Sequence, residues 1–146
     1  MPVSERSISV PHNGKTYSGR IAKIESTSLG FQDHGILTAM LHCSWSGGGI
    51  GVGGYCLDQP KDKGGRDYSR TGTAYGLDHI IRIIETVGVD SWEKLTGKDV
   101  IVLFDGDSGL GRMSVGIAGL LNDKVLILKE HAESWQLALA EAASNV

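Results

Sequence analysis

Three stretches of this sequence hold residue types whose spacing could do chemistry. Asp33-His34-Gly35 sets a carboxylate beside an imidazole, a pair able to move a proton or hydrogen-bond a ligand. A tight turn explains Asp33 and Gly35, through a side chain that bonds the backbone ahead and a residue free to take positive φ. His34 is then the residue left to touch a ligand. The run Gly47–Gly54 holds six glycines, more than a hairpin loop needs. Bare backbone at Gly51 and Gly53 could lie against phosphate oxygens while Tyr55 stacks on a base. A twisted or bulged strand is the structural alternative. Arg66-Asp67-Tyr68-Ser69-Arg70-Thr71-Gly72-Thr73 directly precedes the strongest helical pattern. The open amides and positive dipole end of a helix favour an anion there, with Arg66, Arg70, Thr71 and Thr73 as phosphate contacts. N-capping accounts for one threonine and for neither arginine.

Other fragments imitate known signatures and fail on context. Gly49-Ile50-Gly51-Val52-Gly53-Gly54 matches a dinucleotide fingerprint letter for letter, but strand and turn residues follow it where a helix is required. Gly14-Lys15-Thr16 lacks the leading glycine of a P-loop, since that position is Ser9. Asp105-x-Asp107-x-Gly109 imitates half a calcium loop, with Gly116 where the closing glutamate belongs. The histidines are scattered, without H-x-x-x-H or C-x-x-C, so neither a metal nor a cofactor is expected. No serine or cysteine can be matched with a base as a covalent nucleophile.

Periodicity supplies the elements that must position these residues. Asn13-Gly14 between Ser7–Val10 and Lys15–Ser18 predicts a hairpin. Arg20–Thr27 alternates as a longer strand, Gly30–Gly35 turns, and Ile36–Trp45 returns with Leu37, Ala39, Leu41, Cys43 and Trp45 on one face. Gly49–Asp58 is the expected partner, in a register that sets Cys43 opposite Cys56 and His42 opposite Leu57. Both cysteines are expected as small, reduced core residues. Residues 59–70 read as a polar loop. Thr73–Val87 is the main helix, burying Leu77, Ile80, Ile81 and Ile84 and turning Asp78, His79, Arg82 and Glu85 to solvent. A short helix over Ser91–Thr96 carries Asp90 as cap and Glu93 in a capping box. Strands at Val100–Phe104 and Met113–Leu120 flank a turn over 105–109. A C-terminal helix over Lys129–Ala143 puts Trp135 and Leu139 on one face. The expected fold is a single α+β domain over residues 1–146. It is a mostly antiparallel sheet of hairpins packed by one main amphipathic helix, with a short helix and a C-terminal helix.

A net charge of −3 argues against duplex nucleic acid and anionic membranes as partners, because that sign repels phosphate. No run of about 18 apolar residues is present to span a membrane. Met1–Arg6 lacks the apolar core of a signal peptide, and two cysteines make no disulfide framework. A cytoplasmic protein is the expectation.

The segments STSLGFQDHGILT, GGGIGVGGYCLD and GTAYGLDHIIRIIETVGVDSWEKLTGK carry a resemblance over about residues 21 to 104. They resemble an uncharacterised family of small bacteriophage and prophage proteins, whose pattern includes DHGI, GGYxLD, GTAxG and VGVxxWExLxGK. The C-terminal third departs from that pattern, and the family offers no catalytic residues to carry over. The resemblance implies a phage accessory protein in the cytoplasm of an infected bacterial host. Joined to the candidate residues, it suggests a homo-oligomer that binds and sequesters a nucleotide-derived, cyclic or linear, immune signal without catalysis. In that reading Arg66, Arg70, Thr71 and Thr73 hold phosphates, Gly51 and Gly53 lie against the ligand, and His34 and Tyr55 contact base or ribose. Two alternatives stay open. One is a metal-independent phosphodiesterase using Asp33 and His34, and the other is a protein-binding inhibitor or structural phage module anchored by Trp92 or Trp135.

Overall fold

The computed structural model describes residues 8–62, 69–105 and 113–144. In chain order its strands are β1 (Ile8–His12), β2 (Lys15–Asp33), β3 (Ile36–Trp45), β4 (Gly48–Gly53), β5 (Asp58–Pro60) and β6 (Arg70–Gly72). Helix α1 (Ala74–Val87) follows, then β7 (Asp99–Phe104), β8 (Ser114–Ala118), β9 (Val125–Ile127) and helix α2 (Leu128–Ser144). Seven strands form one antiparallel sheet in the order β4-β3-β2-β7-β8-β9, with β1 also on β2, and β5 and β6 form a separate ribbon. The fold is α+β.

Two-residue turns at Asn13-Gly14 and His34-Gly35 close the first two hairpins, all four residues at positive φ between 50° and 79°. Such turns match the twist of the strands they join. Because His34 and Gly35 suffice, residues 30–33 stay in the strand instead of turning, and β2 runs unbroken for 19 residues. The third hairpin departs further from expectation. It turns tightly before Gly48, which sets Cys43 opposite Ile50 and His42 opposite Gly51, so the two cysteines are not cross-strand partners. Cys43 is buried, whereas Cys56 lies beyond the end of β4 and is exposed. Gly53 marks that end: it sits at φ 129°, and a Cβ there would run into the Ala39 carbonyl. The expected loop over 59–70 contributes instead to β5 and β6, which pair Gln59 with Thr71 and Pro60 with Arg70.

Helix α1 buries a different stripe from the predicted one. Gly76, His79, Ile83 and Thr86 face inward, while Leu77 is 63% and Ile81 39% exposed. Gly76 is the physical reason. The helix approaches Leu57 so closely that a Cβ at Gly76 would run into its carbonyl, and no face bearing side chains could come that near. His79, expected in solvent, is 0% exposed. The expected short helix reduces to one 3-10 turn over Trp92–Lys94. Ser91 makes no side-chain cap bond, and Asp90 instead pairs with Lys94 at 2.8 Å.

Ser114 Oγ donates to the Gly51 carbonyl at 2.9 Å. β4 and β8 lie four places apart in the sheet, a separation of about 19 Å if the sheet were flat, so this bond requires strong curling. One face carries Ile24, Leu41, Cys43, Val100, Val102, Phe104 and Ile117, joined by Ile83 of α1, Leu95 and Leu128. The other carries Val10, Tyr17, Leu103, Ala118 and Ile127. Along α2 only Leu128 is buried. No helix of the described residues is long and apolar enough to cross a membrane.

Candidate functional site

After β4 the chain continues along β3, with the Gly54 amide donating to the Ala39 carbonyl at 3.0 Å and the Leu57 amide to the Leu37 carbonyl at 2.8 Å. This sets Asp58, 7% exposed, opposite Gly72 at the end of β6. Its carboxylate accepts Arg70 Nε at 2.9 Å and Nη2 at 2.8 Å, the Leu37 amide at 3.1 Å and Cys56 Sγ at 3.4 Å. The Arg70 hydrogen bonds, more than any other contact, hold the Asp58 carboxyl well below the usual carboxylate range, and Asp58 in turn raises Arg70. A fork so engaged with a buried carboxylate is a structural bond first.

Thr73 completes the junction as the α1 N-cap. Its hydroxyl accepts from the Gly76 amide at 2.9 Å and donates to the Leu57 carbonyl at 3.0 Å. The first helical turn carries no acidic side chain, so the positive end of the helix is uncompensated by its own residues.

Around this helix start lies a set of rings. Tyr75 and His79, one helical turn apart, approach each other at 5.9 Å between centroids, and His131 of α2 stands 5.4 Å from Tyr75 and 6.1 Å from His79. Tyr55 closes the other side of His79 at 6.1 Å. Asp78 ties α2 to α1, with its Oδ2 receiving Trp135 Nε1 at 3.1 Å and lying 2.7 Å from His131 Nε2. Burial pushes the Asp78 carboxyl up, but hydrogen bonds from His131, Trp135 and Arg82 outweigh it and hold the group below its ordinary value. Among the described residues the Tyr75 hydroxyl, both ring nitrogens of His79 and His131 Nδ1 are buried without a hydrogen-bond partner. Burial, with His131 nearby, lowers His79 to about 4, and burial pushes Tyr75 up to about 12.

A pocket of about 450 Å³ opens between the start of α1, the β5–β6 ribbon and α2. Tyr75 and Trp135 supply its aromatic walls; Cys56, Thr73 and Gln136 supply polar groups, Asp58 lines it with a carboxylate already paired to Arg70, and Leu139 lies at its α2 side. A larger groove of about 1000 Å³ runs between β2 and α2, but its Lys15 pairs with Asp105 at 2.8 Å and its Glu130 lies 2.9 Å from His12. Among the described residues no three His, Cys, Asp or Glu side chains are grouped to hold a metal ion.

The structure gathers some of the predicted site residues and separates others. Tyr55, Arg70, Thr71 and Thr73 lie around the β5–β6 ribbon and the start of α1. Gly51 and Gly53 belong to β4, where Gly51 packs against Met40. His34 sits at the hairpin tip with its side chain 95% exposed, its Nδ1 2.6 Å from Asp33 Oδ1. Arg66 lies outside the described residues. Sequence reasoning passed over Asp58, Tyr75, Asp78, His79 and His131, and offered Trp135 only as an anchor for a protein partner. The i,i+4 spacings Tyr75/His79 and His131/Trp135 were signals that each pair shares a helix face. Compared with known proteins, the chain matches no family model, no curated protein and no solved structure.

Proposed function

We propose that the protein binds a nucleotide-derived small molecule, without turning it over, in the pocket between α1 and α2. The single observation behind this reading is the pocket's pairing of chemistries. Two aromatic walls, Tyr75 and Trp135, stand beside the open amides of a helix start whose first turn carries no acid. A base has a π-face to stack on such rings, worth about 1–3 kcal/mol each, and a phosphate suits the helix end. A volume of about 450 Å³ lies within the range usual for small-molecule sites.

Phosphate contact in this reading falls to the Ala74 and Tyr75 amides, with Arg70 acting through Asp58 to hold the ribbon that forms one wall. Non-catalytic binding is favoured over hydrolysis by Asp33 and His34, because that pair stands in open solvent on a two-residue turn. The resemblance to small phage proteins extends the reading to sequestration of a host immune signal in the bacterial cytoplasm. A thermal-shift panel of linear and cyclic nucleotides, with chromatography of each stabilising compound, tests it. Stabilisation with the compound recovered intact supports the proposal; a flat panel or a recovered product overturns it.

A further inference from the structure

Asp78 divides its two carboxylate oxygens between two helices. Oδ1 takes Arg82 of its own helix, Nε at 3.3 Å and Nη2 at 3.2 Å. Oδ2 receives Trp135 Nε1 at 3.1 Å and lies 2.7 Å from His131 Nε2, so both polar contacts from α2 converge on one atom.

Among the described residues little else holds α2 beyond its first turn. Leu128 is buried, and Glu130 lies 2.9 Å from His12 and 3.0 Å from Asn13, which anchors the start of the helix. From His131 to Ser144 no residue is buried, and only His131, Ala132 and Trp135 are half-buried. His131 adds ring contacts with Tyr75 at 5.4 Å and His79 at 6.1 Å. Composition explains the thin contact. Alanine at 132, 138, 140, 142 and 143 favours the helix but brings little apolar area to bury. Two hollows also border the helix. The pocket of about 450 Å³ lies against Ala132, Trp135, Gln136 and Leu139, and the groove of about 1000 Å³ against Glu133, Ser134 and Leu137. Helix α1 is held differently, burying Gly76, His79, Ile83 and Thr86 and sending Ile83 into the main core.

We infer that α2 is a latched cover over the pocket, anchored by its first turn and held down from His131 onward by the Asp78 carboxylate. Elements with few buried apolar contacts open at a fraction of the free energy of global unfolding. Ala132, Trp135, Gln136 and Leu139 form one wall of the pocket, so the pocket is complete only while the latch is closed. An occupant touching that wall binds the closed form better than the open one, which makes occupancy and docking one linked equilibrium. The cover follows from the walls of the pocket and not from what fills them, so its test needs no ligand.

Native-state hydrogen exchange of the full chain in dilute urea reads the opening. A helix of 17 residues set free in water is only marginally stable, so lifting α2 exposes its amides. Those of Trp135–Leu139 should exchange about a hundredfold faster than those of β7, with little dependence on urea, while β7 exchanges through global unfolding. Asp78→Ala should quicken the α2 amides by a further factor of about ten, the worth of hydrogen bonds to a charged group. Trp135→Phe, which keeps a ring in the wall, should quicken them several-fold. Arg82→Ala, which removes only the Oδ1 partner, should leave them unchanged. The inference is overturned if the α2 amides of the wild type share the protection and urea dependence of β7. It is equally overturned if they are unmoved in either latch variant, or if Arg82→Ala quickens them as much as Asp78→Ala.

Discussion

Acid should destabilise this protein through one histidine, well before its buried carboxylates titrate. His79 is 0% exposed, ringed by Tyr55, Tyr75 and His131, and among the described residues neither of its nitrogens has a partner. Burial lowers its folded pKa from 6.5 to about 4, so the unfolded chain takes up the proton first. Its stabilising contribution is therefore complete above about pH 6.5 and is lost as pH falls towards 4. A gap of about two and a half pH units at about 1.4 kcal/mol each sets the loss at no more than about 3.5 kcal/mol. Asp58 and Asp78 are both held below the ordinary 3.8, so their contributions are present above that value and disappear only at lower pH. The assay is urea unfolding between pH 4 and 7.5 for the wild type and for His79→Phe, which fills the same space without a titrating group. The variant should be at least as stable at pH 7, and its stability should fall less than that of the wild type between pH 6.5 and 4. Parallel curves for the two proteins would refute the reasoning.

Arg70→Ala should lower the melting temperature markedly, because it strips the principal donor from a buried carboxylate; Arg70→Lys should recover only part of the loss, lacking the two-pronged geometry. Gly76→Ala should destabilise by about 2 kcal/mol despite the better helix propensity of alanine, since the new Cβ meets the Leu57 carbonyl; denaturant midpoints report it. His34→Ala should change neither melting temperature nor ligand affinity, in line with a side chain 95% exposed on its turn; a loss of affinity would bring the hairpin tip into the site.

Most hairpins of the sheet were legible because their signals are local. Asn13-Gly14 and the alternation of Ile36–Trp45 need only neighbouring residues to be read; a capping threonine announced the start of α1, and the fold gives that role to Thr73 rather than Thr71. The orientation of α1 was not legible from its apolar pattern. Leu77, Ile80, Ile81 and Ile84 make the more hydrophobic stripe, yet the contact between Gly76 and Leu57 decides which stripe faces in, and nothing near Gly76 in the sequence encodes Leu57. The same distance hid the pairing of Asp58 with Arg70, 12 residues apart and joined only once β5 and β6 form. His131 and Trp135 converge on Asp78 across more than fifty residues, so two of the five scattered histidines, His79 and His131, meet only in the fold.

The most direct test of the proposed pocket is calorimetric titration of the stabilising nucleotide into the wild type, Leu139→Gln and Leu139→Glu. Leu139 lines the pocket, yet it is 59% exposed, so neither change should disturb folding. The account predicts binding with intact ligand recovered, little change for Leu139→Gln, and affinity about tenfold weaker for Leu139→Glu, a penalty of about 1.4 kcal/mol for a carboxylate set beside an anion. Equal affinity in all three proteins would place the ligand elsewhere and contradict the account.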